Sequence, residues 1–174
     1  MMKDRLLKAL LFMSLIIAPC LAQTPSDLRR KYGKPQTLSH KSSQILVERY
    51  TLGHNISMTV KFVDQRRACE FRIEPTNALS GRVRDAVMPA DEAYKLTEEL
   101  APAAERGQLI KSSKVGLGCS GVDYNEYEHV MIAVATRCTE KMSGTYSVNI
   151  RWKDTACEPI DRRESASNAS GSPE

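Results

Sequence analysis

The sequence has little of what would identify a polytopic membrane protein, a nucleic-acid-binding protein or a metalloprotein. Only residues 9–18 form an apolar, unbroken run, which excludes a chain that crosses the membrane several times. The 25 basic and 21 acidic residues leave a formal net charge of +4, too small to indicate a nucleic-acid partner. The three histidines, His40, His54 and His129, are far apart in sequence. We therefore predict no metal site and no cofactor.

The N-terminus has the three-part layout of an export signal. Lys3, Arg5 and Lys8 precede the apolar run, and Ala22 follows it as a small residue at a cleavage point. A run of ten residues, nine of them apolar, rises about 15 Å as a helix, roughly half the hydrocarbon thickness of a bilayer, so a permanent span is disfavoured. We predict a signal peptide at residues 1–22 and a periplasmic or extracellular location. A lipid anchor at Cys20 is the alternative.

The cysteines agree with export. Cys69, Cys119, Cys138 and Cys157 remain after cleavage, an even number, which favours two disulfides in an oxidising compartment. Their intervals of 50, 19 and 19 residues include no close pair of the kind that metal sites use. Strand alternation places Cys69 and Cys138 near the tips of two hairpins with both side chains facing the core. We therefore predict the pairs Cys69–Cys138 and Cys119–Cys157.

Hydrophobic periodicity predicts a two-layer fold. Strands are predicted at residues 45–52, 56–62, 69–74, 130–138 and 146–152, and helices at residues 26–32 and 89–100. Residues 111–121, with three glycines and three serines, read as a loop. The prediction is an α+β fold: one domain at residues 23–161, with an antiparallel sheet of about five strands, amphipathic helices packed on one face and two disulfides. We expect a disordered tail at residues 162–174.

Part of the chain resembles a known family. Residues 26–74 contain the run Leu28-Arg29-Arg30-Lys31-Tyr32-Gly33-Lys34-Pro35, followed by short alternating strands. They resemble small outer-membrane-assembly lipoproteins of the SmpA/OmlA type, in which a helix, a G-x-P stop and a meander recur. More broadly, the chain resembles uncharacterised bacterial exported proteins. The resemblance implies a protein of the cell envelope and no particular activity.

Two surface features are candidate binding sites. Tyr124 and Tyr127 alternate with carboxylates in residues 123–129, a mixture that favours recognition of sugars, peptides or cationic partners. Arg29 and Arg30 form a basic patch that suits anionic lipid or glycan, although they also suit a solvated helix face.

No pattern indicates a catalytic site. Glu128 and His129 are adjacent, and adjacent residues on a strand point to opposite faces, which disfavours a catalytic dyad. We therefore predict a non-enzymatic exported module that binds an unknown protein or glycan partner. A small hydrolase is the alternative, and it would require a pocket that brings together at least two of His40, His54, Asp123 and Glu126.

Overall fold

The structure is a computed structural model that describes residues 23–38, 45–53, 55–63, 66–79, 86–138 and 143–153. The predicted signal peptide at residues 1–22, the tail at residues 162–174, and His40, His54 and Cys157 lie outside these ranges. Statements about them therefore stay predictions.

The described chain contains four short helices and eight strands. In chain order they are α1 Pro25–Tyr32, β1 Gln36–Leu38, β2 Ile45–Leu52, β3 Ile56–Val63, β4 Arg67–Pro75, α2 Thr76–Leu79, α3 Ala90–Leu100, α4 Ala103–Arg106, β5 Leu109–Leu117, β6 Ser120–Tyr127, β7 Val130–Cys138 and β8 Ser143–Trp152.

All eight strands belong to one antiparallel sheet with the order β1-β2-β3-β4-β8-β7-β6-β5. The chain builds two four-stranded meanders, β1 to β4 and β5 to β8, which join where β4 pairs with β8. The predicted α+β fold with about five strands and a layer of amphipathic helices is therefore wrong. The protein is mostly β, with few short helices.

Three strands, β1, β5 and β6, are absent from the sequence prediction. β1 and β5 are the two edges of the sheet, and β6 lies next to β5. β1 has only three residues, and every residue of β5 is exposed. A strand is recognised in a sequence by apolar residues that alternate because one face is buried. β5 has no buried face, so its residues do not alternate, and residues 111–121 read as a loop although most of them belong to β5 and β6.

One face of the sheet, which we call the core face, carries the hydrophobic core. Met58, Val60 and Phe62 of β3 lie on it and are fully buried, as the alternation in that strand predicts. Helix α1 adds Leu28 to this core, and helix α3 adds Leu100. The opposite face carries the other residue of each alternating pair, and we call it the polar face.

Helix α1 begins with a capping box. The Thr24 hydroxyl accepts a hydrogen bond from the Asp27 backbone N–H at 3.2 Å, and the Asp27 carboxylate accepts one from the Thr24 N–H at 3.4 Å. These two bonds satisfy amide groups that have no partner inside the helix. Gly33, with φ of +84°, ends the helix.

The predicted cysteine pairing is wrong in both pairs. Cys119 is bonded to Cys138, with their Cα atoms 5.8 Å apart. In the β6–β7 register Gly121 lies opposite Thr136, so the two cysteines lie opposite each other where that register continues. Residues 111–121 have the composition of a loop, and a loop gives no register that would place Cys119 beside β7.

Cys69 lies near the β3–β4 turn, as predicted, at an irregularity in the strand pairing. A bulge between Lys61 and Phe62 in the β3–β4 register leaves Cys69 as the extra residue of β4, without a residue opposite it on β3. Cys69 is buried and disulfide-bonded, and because Cys119 and Cys138 bond each other its partner lies outside the described residues.

We expect peptide mapping without reduction to find a Cys119–Cys138 bridge. Replacing both residues with serine should lower the free energy of unfolding by about 3 kcal/mol, because the bridge closes a loop of roughly 20 residues in the unfolded chain. Urea denaturation of the two proteins measures the difference. A bridged peptide that joins Cys69 to Cys138 would contradict the pairing.

Candidate functional site

The polar face carries a line of alternating charge. Cross-strand pairing aligns one residue from each of six neighbouring strands, β5, β6, β7, β8, β4 and β3. This charged row consists of Lys111, Glu126, Met131, Arg151, Glu70 and Lys61. Opposite charges on neighbouring strands attract each other, so the row stabilises the sheet and leaves little net charge.

A second line of residues runs beside the charged row. It consists of Ser113, Tyr124, Ala133, Asn149 and Arg72, again one from each neighbouring strand. The small Ala133 side chain stands between the larger Tyr124 and Asn149. It leaves space above the sheet that those two side chains border.

The space between the two lines forms a depression that we call the polar basin. It has a volume of about 320 Å³. The residues that line it come from five strands and are Glu70, Lys111, Ser113, Tyr124, Asn125, Glu126, Met131, Ile132, Ala133, Asn149 and Arg151. An aromatic ring, an amide, a hydroxyl and both signs of charge therefore border one cavity.

The charges of the basin balance. Its lining holds two carboxylates, Glu70 and Glu126, and two cations, Lys111 and Arg151. Lys153 Nζ lies 2.7 Å from Glu126 Oε1, and this hydrogen bond, helped by the charges of Lys153 and Lys111, lowers the pKa of Glu126. Glu126 is therefore ionised at neutral pH and serves as a hydrogen-bond acceptor.

The structure separates the two predicted tyrosines. Tyr124 lines the basin and is 46% exposed. Tyr127 packs against the hydrophobic core, and the Arg106 guanidinium lies 5.6 Å from the centre of its ring. Residues three apart on a strand point to opposite faces, so strand alternation is enough to predict that the two tyrosines are separated.

Arg29 and Arg30 lie on α1, on the core face and therefore away from the basin. Arg29 Nε donates to Glu48 Oε1 at 3.0 Å, and Tyr50 donates its hydroxyl to Glu48 Oε2 at 2.5 Å. Glu48 is fully buried, so Arg29 neutralises a carboxylate inside the core. Burial, together with the neighbouring Glu48 carboxylate, raises the pKa of Tyr50.

Arg30 is highly exposed, and its guanidinium pairs with the Asp27 carboxylate at 2.8 Å.

The residues that the hydrolase alternative requires are not brought together among the described residues. Glu126 lines the basin, whereas Asp123 belongs to the opposite face and pairs with Lys114 at 3.4 Å. His40 and His54 lie outside the described ranges. In the described part of the chain no three potential metal ligands cluster, and no helix has the length and apolarity that a bilayer span needs.

The glycine-rich stretch at residues 116–121 contains the turn between β5 and β6, which consists of residues 118 and 119. Gly116 and Gly121 lie opposite each other, and a Cβ on Gly116 would come within 2.4 Å of the Gly121 Cα. Only glycine permits so close a contact between the two strands. No helix follows the turn, so the arrangement lacks the helix N-terminus that a phosphate-binding loop uses.

Two residues of the basin's wall were named from the sequence, Tyr124 as a candidate binding residue and Glu126 as a candidate of the hydrolase alternative, and the rest were missed. Lys111, Asn149 and Arg151 come from strands that are far apart in the chain and meet only through cross-strand register. Comparison of the chain with protein-family models, with curated proteins and with solved structures finds no match. The resemblance to assembly lipoproteins therefore stays a prediction.

We expect Arg29→Met to lower the free energy of unfolding by about 2 kcal/mol, because it leaves the buried Glu48 carboxylate without its cation. Arg30→Met is the matched control on the same helix. Its ion pair is exposed, so the loss should stay below about 0.5 kcal/mol. Urea denaturation measures both variants, and equal losses would contradict a structural role that belongs to Arg29 alone.

The Glu126 carboxyl should titrate below its usual pKa in an NMR titration, and Lys153→Met should raise that pKa. Because folding lowers this pKa, the stabilisation from the pair is present above the unfolded-state pKa and is lost as the pH falls through the folded-state value. Lys95→Met, which removes an exposed pair on α3, is the control and should leave the Glu126 titration unchanged. An unshifted Glu126 in the unmodified protein would contradict the assignment.

Proposed function

We propose that this protein is an exported, non-enzymatic binding module that holds a neutral glycan in the polar basin. The single observation that carries the proposal is the half-exposed Tyr124 ring in a charge-balanced cavity bordered by amide, hydroxyl and carboxylate groups. Each of these features matches one property of a sugar.

The first property is the shape of a sugar ring. A pyranose has an apolar C–H face that stacks on an aromatic side chain, as Tyr124 offers, and hydroxyl groups around its edge. The Asn149 amide both donates and accepts hydrogen bonds, the Ser113 hydroxyl does the same, and the ionised Glu126 accepts them. The basin therefore contains partners for both parts of the ligand.

The second property is charge. A site for a phosphate or a carboxylate would concentrate cations, and a site for an ammonium group would concentrate acids. The basin combines two of each, and Glu126 also bonds Lys153. This balance favours a ligand without net charge, and it is why we choose a neutral glycan over a charged peptide.

Two features outside the basin support the proposal that the protein is exported. The signal-like pattern at residues 1–22 supports it. The Cys119–Cys138 disulfide is compatible with an oxidising compartment. We expect the full chain to be processed to a mature protein that begins at Gln23.

The hydrolase alternative draws no support from the carboxylates that line the basin. Glu70 and Glu126 stand on strands that are three spacings apart, about 14 Å at the usual strand separation. Paired glycosidase carboxylates lie about 5 to 9.5 Å apart, and one of them needs a raised pKa. The pKa of Glu126 is lowered instead.

The test is a calorimetric titration of the exported, mature protein with neutral gluco-, manno- and chito-oligosaccharides. We expect at least one series to bind, and Tyr124→Ala to weaken that binding about tenfold through loss of the stacked ring. Tyr94→Ala is the matched control, because Tyr94 is an exposed tyrosine on α3 that lies outside the basin. If no series binds, or if Tyr124→Ala binds as the unmodified protein does, the proposal fails.

A further inference from the structure

The disulfide partner of Cys69 can be narrowed down by elimination. The chain has five cysteines, Cys20, Cys69, Cys119, Cys138 and Cys157. Cys69 is fully buried near the start of β4 and is disulfide-bonded, while Cys119 and Cys138 bond each other. The partner of Cys69 is therefore either Cys20 or Cys157.

The end of β8 lies beside Cys69. Glu70 pairs with Arg151 across the antiparallel β4–β8 junction, so Cys69 is next to the place where β8 ends at Trp152. Cys157 follows Trp152 by five residues. Five extended residues span about 17 Å, and the Cα atoms of a disulfide lie about 5 to 6 Å apart. The chain that leaves β8 is therefore long enough to bring Cys157 to Cys69.

The N-terminal side of the chain also passes close to Cys69. The Gln23 carbonyl accepts a hydrogen bond from the Ala68 N–H at 2.9 Å, which places the residue after the predicted cleavage point beside Cys69. Cys20 is three residues away from Gln23 and would be within reach in an unprocessed chain. Cleavage after Ala22 removes it. Distance therefore permits both cysteines, and export processing selects Cys157.

We propose that Cys69 of the mature protein is bonded to Cys157, and that this bridge links the two meanders across the β4–β8 junction. Cys69 belongs to the first meander, and Cys157 follows the last strand of the second. The Cys119–Cys138 bond lies within the second meander and cannot make this link. The assignment rests on the export part of the proposed function, and it is independent of what the basin binds.

The bridge stabilises a contact between strands that are far apart in the chain. It closes a loop of roughly 90 residues, against roughly 20 for Cys119–Cys138, and in the chain-entropy model the longer loop gives the larger stabilisation. The junction that it supports has only four residue pairs. The basin depends on this junction, because Glu70 comes from the first meander and the other lining residues come from the second.

Formation of the bridge requires an oxidant. The Cys69 and Cys157 thiols lose two protons and two electrons as their sulfur atoms join. A donor disulfide accepts both and becomes a dithiol, by exchange through a mixed disulfide. Such donors act in compartments that oxidise thiols, so the bridge forms after export and completes the fold there.

The test is mass spectrometry of tryptic peptides from the exported protein, alkylated without reduction. Trypsin places the four remaining cysteines on four different peptides, which are residues 68–72, 115–137, 138–141 and 154–162. We expect peptide 68–72 to be joined to peptide 154–162, and peptide 115–137 to be joined to peptide 138–141.

Two contrary results have different meanings. A bond between peptide 68–72 and peptide 9–29, which contains Cys20, would overturn the assignment and would also show that cleavage after Ala22 had not occurred. Any other partner for Cys69, or a free Cys69 thiol, in a protein that begins at Gln23 would overturn the assignment and leave the proposed export intact.

Cys157→Ser supplies a second readout. We expect one thiol per chain, at Cys69, to become alkylated after denaturation, whereas the unmodified mature protein should have none. Cys20→Ser is the matched control and should leave this thiol count unchanged, because the mature protein lacks residue 20. A Cys157→Ser protein in which Cys69 is still bonded would contradict the pairing.

Urea denaturation tests the link between the meanders. The unfolding midpoint should fall further in Cys157→Ser than in the double variant Cys119→Ser/Cys138→Ser, because the lost loop is longer. A midpoint that does not move in Cys157→Ser would show that the bridge does not support the junction.

Discussion

The pairing of β4 with β8 is the contact on which the rest of the structure depends. Four residue pairs, from Glu70 with Arg151 to Ile73 with Val148, join two meanders that are otherwise local structures. Phe71 and Ile150 meet on the core face of this junction, while Glu70 and Arg151 meet on the polar face. Without the junction neither the core nor the charged row would be continuous. Its partners are far apart in the chain, so forming it carries a large loop-closure cost.

The same junction builds both sides of the molecule at once. On the core face it joins the buried residues of β3 and β4 to those of β7 and β8. On the polar face it aligns Glu70 with Arg151, and so brings one wall of the basin next to the other. The basin and the core are therefore products of one register. A change in that register by one residue would exchange the two faces.

The buried and the exposed charges of the sheet are held differently. On β2, next to the β1 edge, the Glu48 carboxylate is fully buried, and Arg29 and Tyr50 satisfy it. At the β5 edge, salt links such as Lys114–Asp123 form in solvent and contribute little to stability. They do remove net charge from an apolar edge. Beside that edge, the Cys119–Cys138 bond joins the start of β6 to the end of β7.

The sequence by itself determined the elements whose residues alternate around a buried face. β2 at residues 45–52, the apolar side of β3 and the helix that ends before Gly33 could all be predicted, because burial imposes a period that the residues record. Tyr124 was a candidate from the sequence for a different reason, the alternation of tyrosines with carboxylates in residues 123–129. Tyr124 and Tyr127 are three residues apart on β6, and this odd spacing places them on opposite faces of the sheet.

Only the tertiary structure decided the number of strands, the cysteine pairing and the composition of the basin. β5 is exposed on both faces, so no burial period marks it as a strand. The bulges beside Lys61 and Ala135 shift the cross-strand register by one residue, and no local sequence pattern predicts these bulges. Which residues meet across strands depends on those shifts. Local sequence patterns therefore could not predict the Cys119–Cys138 bond. They also could not predict that Lys111, Tyr124 and Arg151 line one cavity.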